Sequence, residues 1–218
     1  MAAFVVVIGL GAIQAEGQSV LYNFSDGASD GWSLGGFGSG SSPAISNIGG
    51  INYINVPLGG FQVANIASGY SGNLAGFNAT MAAAAANPAG YDISYNYYVN
   101  TAGFSGATFL QIGTFVNTGS GYYKQDYGAP NEVTLNGTQL ASGQVFQGQV
   151  TVNMGALGFD MPPSDTFFRL GLIENGNGTG VAVGFTNISI SPVPEPASLA
   201  LFGLGLAAGV AFLRRSKA

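Results

Sequence analysis

The sequence predicts an all-β body, an antiparallel two-sheet sandwich of jelly-roll type, with a C-terminal transmembrane helix after it. Three observations predict it. From 19 to 191, β-branched and aromatic runs alternate with clusters of Gly, Asn, Ser and Pro at short intervals, the pattern of short strands and turns. No amphipathic helical period interrupts them, and the alanine run at 81–86 supplies at most one or two turns. Residues 197–213 carry no charge and are followed at once by Arg214, Arg215 and Lys217.

The chain divides into a signal peptide at 1–17, a body at 18–191 and a tail at 192–218. At the start, 2–13 is an apolar run of h-region length, and the small and polar residues Gln14, Ala15, Glu16 and Gly17 follow it. Cleavage is expected after Ala15 or Gly17. No Lys or Arg precedes the run, so the basic n-region is expected to lie upstream of the given start. The alternative reading of this stretch is a short buried strand.

Within the body, 92–100 alternates: Ile93, Tyr95, Tyr97 and Val99 share one face, and Ser94, Asn96 and Tyr98 the other. Residues 109–116, 145–152, 167–173 and 181–190 read similarly. The Asn136-Gly137 pair predicts a type I′ hairpin turn. In the last run the apolar positions are Val181, Val183 and Phe185, then Ile188 and Ile190, so the phase slips at Thr186-Asn187 and a β-bulge is expected there. Many short strands without interleaved helices favour a sandwich over a solenoid, for which no fixed-period repeat is present.

Composition excludes several functions. Charged residues are 7% of the chain against 36 glycines. The body holds only Lys124 and Arg169 as cations and the formal charge is −5, so nucleic acid is not an expected partner. Histidine and cysteine are absent, which removes Ser/His/Asp and Cys/His catalysis and the usual nitrogen and thiolate metal ligands. It also removes disulfides, so core burial and sheet hydrogen bonding must hold an exported body together.

Two prolines in Val193-Pro194-Glu195-Pro196 forbid regular structure and leave the Glu195 carboxylate on an extended, accessible segment. A helix over 197–213 would span roughly 25 Å, near the lower limit for a bilayer core. The basic residues behind it resist translocation and place the body outside. Gly205 and Gly209 give it a G-x-x-x-G spacing that permits close helix packing. This order of Pro194-Glu195-Pro196, apolar span and Arg214-Arg215 closely resembles the PEP-CTERM sorting signal of bacterial exported proteins. The resemblance implies recognition by a membrane-embedded exosortase, which removes the tail and releases or attaches the body, in hosts that make exopolysaccharide or biofilm. It implies inner-membrane anchoring before processing, and a cell-surface or extracellular place afterwards. An ordinary single-span anchor would put the body on the same side; the Pro-Glu-Pro signature separates the two. The tail says nothing of the body, because such tails are joined to many domains.

Tyr22-Asn23-Phe24 followed by Asp30-Gly31-Trp32, with the closing run from Phe185 to Ile190, is similar to carbohydrate-binding-module-like jelly rolls. That resemblance implies a structural calcium held by an acidic residue beside the last strand's Asn, but here Thr186 stands in that place. Asp26 and Asp30 remain candidate oxygen ligands, with an ordinary Asp-Gly turn as the other reading. Sugar stacking needs exposed aromatics, for which the candidates are Trp32, Tyr98, Tyr122, Tyr123 and Tyr127, against the commoner role of tyrosine at core edges. Glycoside hydrolysis needs a carboxylate pair, and nothing in the spacing selects one among Glu132, Glu174, Asp92, Asp126, Asp160 and Asp165. The glycine-rich stretch at 35–40 lacks the lysine and helix of a phosphate loop.

The sequence therefore reads as a non-enzyme: an exported envelope or matrix protein whose body associates with exopolysaccharide or with itself and needs no cofactor other than possible calcium. The alternatives are a carbohydrate-binding module with a defined glycan site, and a carboxylate-dependent glycoside hydrolase.

Overall fold

A computed structural model describes residues 17–35, 40–68, 75–119, 123–126, 133–156, 158, 166–179 and 183–193. The signal segment through residue 16, and the sorting residues Pro194, Glu195, Pro196, Arg214 and Arg215 with the span 197–213, lie outside the described residues, as do Tyr122 and Tyr127. Among the described residues, no helix is long and apolar enough to cross a membrane.

In chain order the elements are β1 (Val20–Tyr22), β2 (Ser33–Leu34), β3 (Ile45–Ile48), β4 (Ile51–Val56), β5 (Gly60–Ala67), α1 (Ala75–Ala86), β6 (Tyr91–Asn100), β7 (Phe109–Thr118), β8 (Tyr123–Asp126), β9 (Val133–Asn136), α2 (Gly137–Leu140), β10 (Val145–Asn153), β11 (Phe168–Gly176) and β12 (Val183–Pro192). They form two six-stranded antiparallel sheets. The first runs β10-β6-β12-β4-β3, with β1 also on β12; the second runs β2-β5-β11-β7-β8, with β9 also on β7. This is the predicted two-sheet sandwich.

Alternation within the strands supplies the core. Ile93, Tyr95 and Val99 of β6, Ile54 and Val56 of β4, and Phe185, Ile188 and Ile190 of β12 meet Ala64 and Ile66 of β5, Leu110, Ile112 and Val116 of β7, and Leu170 and Leu172 of β11. Each such side chain, taken from water to full burial, stabilises by about 1.5–3 kcal/mol. One polar contact crosses between the sheets, where Thr114 Oγ1 donates to the Tyr95 hydroxyl at 3.3 Å. The Tyr95 ring meets Phe185 edge-on with centroids 5.6 Å apart.

The expected bulge is present. Register between β12 and β6 shifts between Thr186 and Ser189, and Asn187 has φ 49°. Before the bulge β12 pairs with β4, and after it with β1.

Two local expectations are corrected. The alanine run belongs to α1, whose 12 residues exceed one or two turns. Polyalanine shows no amphipathic period but has the highest helix propensity, and Phe77, Met81, Ala84 and Ala85 anchor it in the core until Pro88 ends it. The Asn136-Gly137 pair makes no hairpin turn. Asn136 caps α2: its Oδ1 accepts from the Gln139 N–H at 3.1 Å, and Gln139 Oε1 accepts from the Asn136 N–H at 2.9 Å.

Trp32 is 1% exposed and meets Tyr22 edge-on at 5.7 Å, so it is a core residue and offers no face to a sugar. Trp32→Ala is expected to cost about 3–5 kcal/mol, read from the urea denaturation midpoint; a loss under about 1 kcal/mol would place the ring outside the core.

Candidate functional site

The outward face of the second sheet carries the most specific arrangement. Cross-strand pairing sets its rows: Phe61, Asn175 and Gln111; Val63, Ile173 and Gly113; Asn65, Gly171 and Phe115; Ala67, Arg169 and Asn117. One end of the face is closed. Phe115 lies so flat on the β11 backbone that a Cβ on Gly171 would fall 1.8 Å from its ring. The Arg169 guanidinium carbon stands 4.7 Å from that ring's centroid, its Nε donates to Asn65 Oδ1 at 3.2 Å and its Nη2 to the Gly35 carbonyl at 3.4 Å. Asn65 Nδ2 in turn donates to the carbonyls of Gly35 at 2.6 Å and Ser33 at 3.2 Å.

The other end is open. Phe61 is 50% exposed and Phe109 38% exposed. Between them Asn175 Nδ2 donates to Gln111 Oε1 at 3.1 Å, and both side chains are half-buried. Phe109 is fixed from behind. Asn177 Oδ1 accepts from the N–H groups of Thr108 at 2.8 Å and Phe109 at 3.2 Å, and Asn177 Nδ2 donates to Thr108 Oγ1 at 2.7 Å. Two exposed rings two strands apart, roughly 10 Å across the sheet at a strand spacing of about 4.8 Å, flank an uncharged amide row. The apolar C–H face of a pyranose can pack on such rings while its hydroxyls meet the amides.

Sequence reading missed both phenylalanines. Phe109 opens a run that reads as strand and Phe61 lies in no run that stands out, and only which neighbours cover a position decides exposure.

The named candidates are distributed elsewhere. Tyr98 is half-buried on the outward face of the first sheet, its ring centroid 5.6 Å from that of Tyr53. Burial, and then Tyr98, raise the Tyr53 hydroxyl's pKa. Tyr123 occupies the β8 position paired with Asn117. Asp26 Oδ1 accepts from the Ala28 N–H at 2.9 Å, closing a turn, and Asp30 has φ 49°. Burial first, and then the Asp26 carboxylate, raise the Asp30 pKa, so the two carboxyls share one loop. Among the described residues no three His, Cys, Asp or Glu side chains cluster as a metal site.

Of the carboxylates weighed for hydrolysis, Glu132, Asp160 and Asp165 lie outside the described residues. Asp126 lies in β8, and Asp92 accepts from Asn153 Nδ2 at 2.9 Å. Glu174 is corrected as a catalytic candidate: it points between the sheets at 0% exposure, where no substrate reaches it, and neither oxygen has a hydrogen-bond partner. Burial pushes its pKa up to about 8, and the Gly59 N–H draws it partway back from beyond hydrogen-bonding geometry.

A model of the PEP-CTERM protein-sorting motif matches residues 192–215. In structure the chain is similar to a carbohydrate-binding module, CBM28, specific for non-crystalline cellulose: identity is 16%, TM-score 0.52, and the match covers 82% of this chain and 97% of that one. It is also similar to a CBM22 xylan-binding domain from Paenibacillus barcinonensis, at 10% identity and TM-score 0.47 over 83% of this chain and 99% of that one. No curated protein matches in sequence. The fold is thus that of a carbohydrate-binding-module-like sandwich.

The buried Glu174 carboxyl has a stability consequence. The folded state keeps a proton that the unfolded chain gives up near pH 4.5, so its contribution is full below that pH and is lost as pH rises to about 8. The melting midpoint is expected to fall across this window, and Glu174→Gln to flatten the fall; identical slopes in both proteins would show that the carboxyl is not buried.

Proposed function

We propose that the protein is an exported, non-catalytic envelope or matrix protein, sorted and trimmed by an exosortase, whose body binds neutral polysaccharide at Phe61 and Phe109. The observation that carries the binding reading is the pair of exposed rings flanking the Asn175–Gln111 row on a sheet face almost without charge. Neutral glycan fits better than an acidic polymer, because the chain is net negative and its described cation on this face, Arg169, is buried. The CBM28 neighbour, which shares the fold, is specific for non-crystalline cellulose. Chains of β-linked sugar with free hydroxyls are accordingly the ligands to try first.

The geometry at the end of β12 supports the sorting reading. Pro192 is the last strand residue, and the Val193 N–H donates to the Gly90 carbonyl at 2.8 Å. Pro194 and Pro196 cannot donate to a sheet, and cleavage beyond Val193 spares every described strand. Gly17 lies beside Pro192, where an added Cβ would sit 2.5 Å from the proline ring. The body therefore enters and leaves its sandwich at one corner, the arrangement expected of a domain held to a membrane from that corner.

Phe61→Ala and Phe109→Ala are each expected to weaken binding to soluble β-glucan about tenfold, or about 1.4 kcal/mol, in titration calorimetry, without lowering the melting midpoint. Unchanged affinity in the double variant would remove this face from the reading. Separately, Glu195→Ala should leave the tail on the protein in cells that carry an exosortase, seen as the uncut mass in the membrane fraction. Normal trimming of that variant would show that the carboxylate is not read.

A further inference from the structure

Among the described residues the sandwich has one unguarded edge. Proteins protect the outer strands of sheets by keeping them short, charging them, bending them or breaking them with proline, because their unpaired N–H and C=O groups would otherwise recruit another strand. Here the other described edge strands follow that rule: β1 has 3 residues, β2 has 2, and β3, β8 and β9 have 4 each, with Lys124 and Asp126 on β8. The longer edge strand on the far side of the first sheet does not. β10, Val145–Asn153, has 9 residues, no charge and no proline, and pairs with β6 along its whole length without a register shift.

Among the described residues no strand pairs with its outer side. The ladder to β6 is extended at one end by the Thr101 N–H donating to the Gln144 carbonyl and at the other by the Met154 N–H donating to the Tyr91 carbonyl. In an antiparallel ladder the hydrogen-bonded positions alternate, so even-numbered residues of β10 bond to β6 and odd-numbered ones direct N–H and C=O away from it. Val145, Gln147, Gln149, Thr151 and Asn153 thus present a row of donors and acceptors. Val145, Gln147, Gln149 and Thr151 are exposed, and so is Gly148, which has only backbone to expose.

We infer that β10 is a self-association edge, and that its partner is β10 of a second copy, paired antiparallel about a two-fold axis through Gln149. A copy of the same strand is the complement the edge specifies. In this register Gln149 faces its own mate, Gln147 faces Thr151, and Val145 faces Asn153. All five outward positions are then used, for about ten backbone hydrogen bonds, and no charge meets a like charge. Gly148 falls opposite Val150 and leaves it room. Two six-stranded sheets become one continuous sheet, with closed point symmetry that stops at the dimer. The axis is normal to the sheet, so both second sheets face the same way and the two copies present Phe61 and Phe109 together. The pairing itself does not depend on any glycan being bound.

Sedimentation of the full chain in detergent, corrected for bound detergent, tests this. The wild type should have twice the protein mass of one chain, and Gln149→Lys and Gln149→Pro the mass of one. Proline is informative because the Gln149 N–H makes no bond to β6, so the fold keeps its ladder and the melting midpoint should not move. The chain has no cysteine, and hydrogen-bonded antiparallel partners stand about 5.5 Å apart at Cα, within disulfide reach. Gln149→Cys should therefore form a disulfide-linked dimer under mild oxidation, while Thr134→Cys, exposed on β9, should not. A monomeric wild type overturns the inference. So does a dimer that survives both Gln149 substitutions, which would place association in the Gly205/Gly209 tail, or cross-linking at 149 no faster than at 134.

Discussion

β12 holds three partners because its backbone turns through the left-handed region at Asn187. A regular strand would keep one neighbour on each side. The bulge lets β12 pair along its whole flank with β6 and, on the other flank, first with β4 and then with β1. Asn is among the few residues that tolerate a positive φ, so one side chain permits the break on which the first sheet's layout depends. It also brings the start of the body, at β1, beside residues 188–190 of β12, just before the sorting motif.

With no disulfide and almost no ions, cohesion rests on the apolar rows between the sheets. That makes the polar groups buried with them costly, and the protein tolerates several. Trp32 Nε1, Thr80 Oγ1, Thr186 Oγ1 and both Glu174 oxygens lack hydrogen-bond partners. Glu174 meets the cost by remaining protonated, since a neutral carboxyl is far cheaper to bury than a carboxylate. Arg169 is handled in the opposite way: it stays charged, lies over the Phe115 ring, and is held by Asn65 and the Gly35 carbonyl.

The three surfaces with a proposed role do not compete for space. The exposed Phe61 and Phe109 rings lie on the outward side of the second sheet, the proposed pairing edge is the margin of the first, and the sorting motif begins at the end of β12. A body held at one corner, paired along one edge and exposing an aromatic face can cross-link polysaccharide at a surface with weak individual contacts, because bivalent engagement raises effective affinity.

The sorting motif and the sandwich were legible in the chain because each rests on local chemistry: two prolines around a glutamate, and period-two alternation such as that of β6. The bulge was legible for the same reason, as a slip of phase between Phe185 and Ile188. Asn136-Gly137 misled because two residues do not decide between a turn and a cap; Gln139, three positions on, decides by closing the capping box. Trp32 and Glu174 looked available for binding or catalysis and are sealed in the core, while Phe61 and Phe109, which nothing in the sequence singled out, face water. Alternation assigns a side chain to one face of a strand, but every sheet here has two faces, and only the packing of one sheet on the other determines which of them is dry.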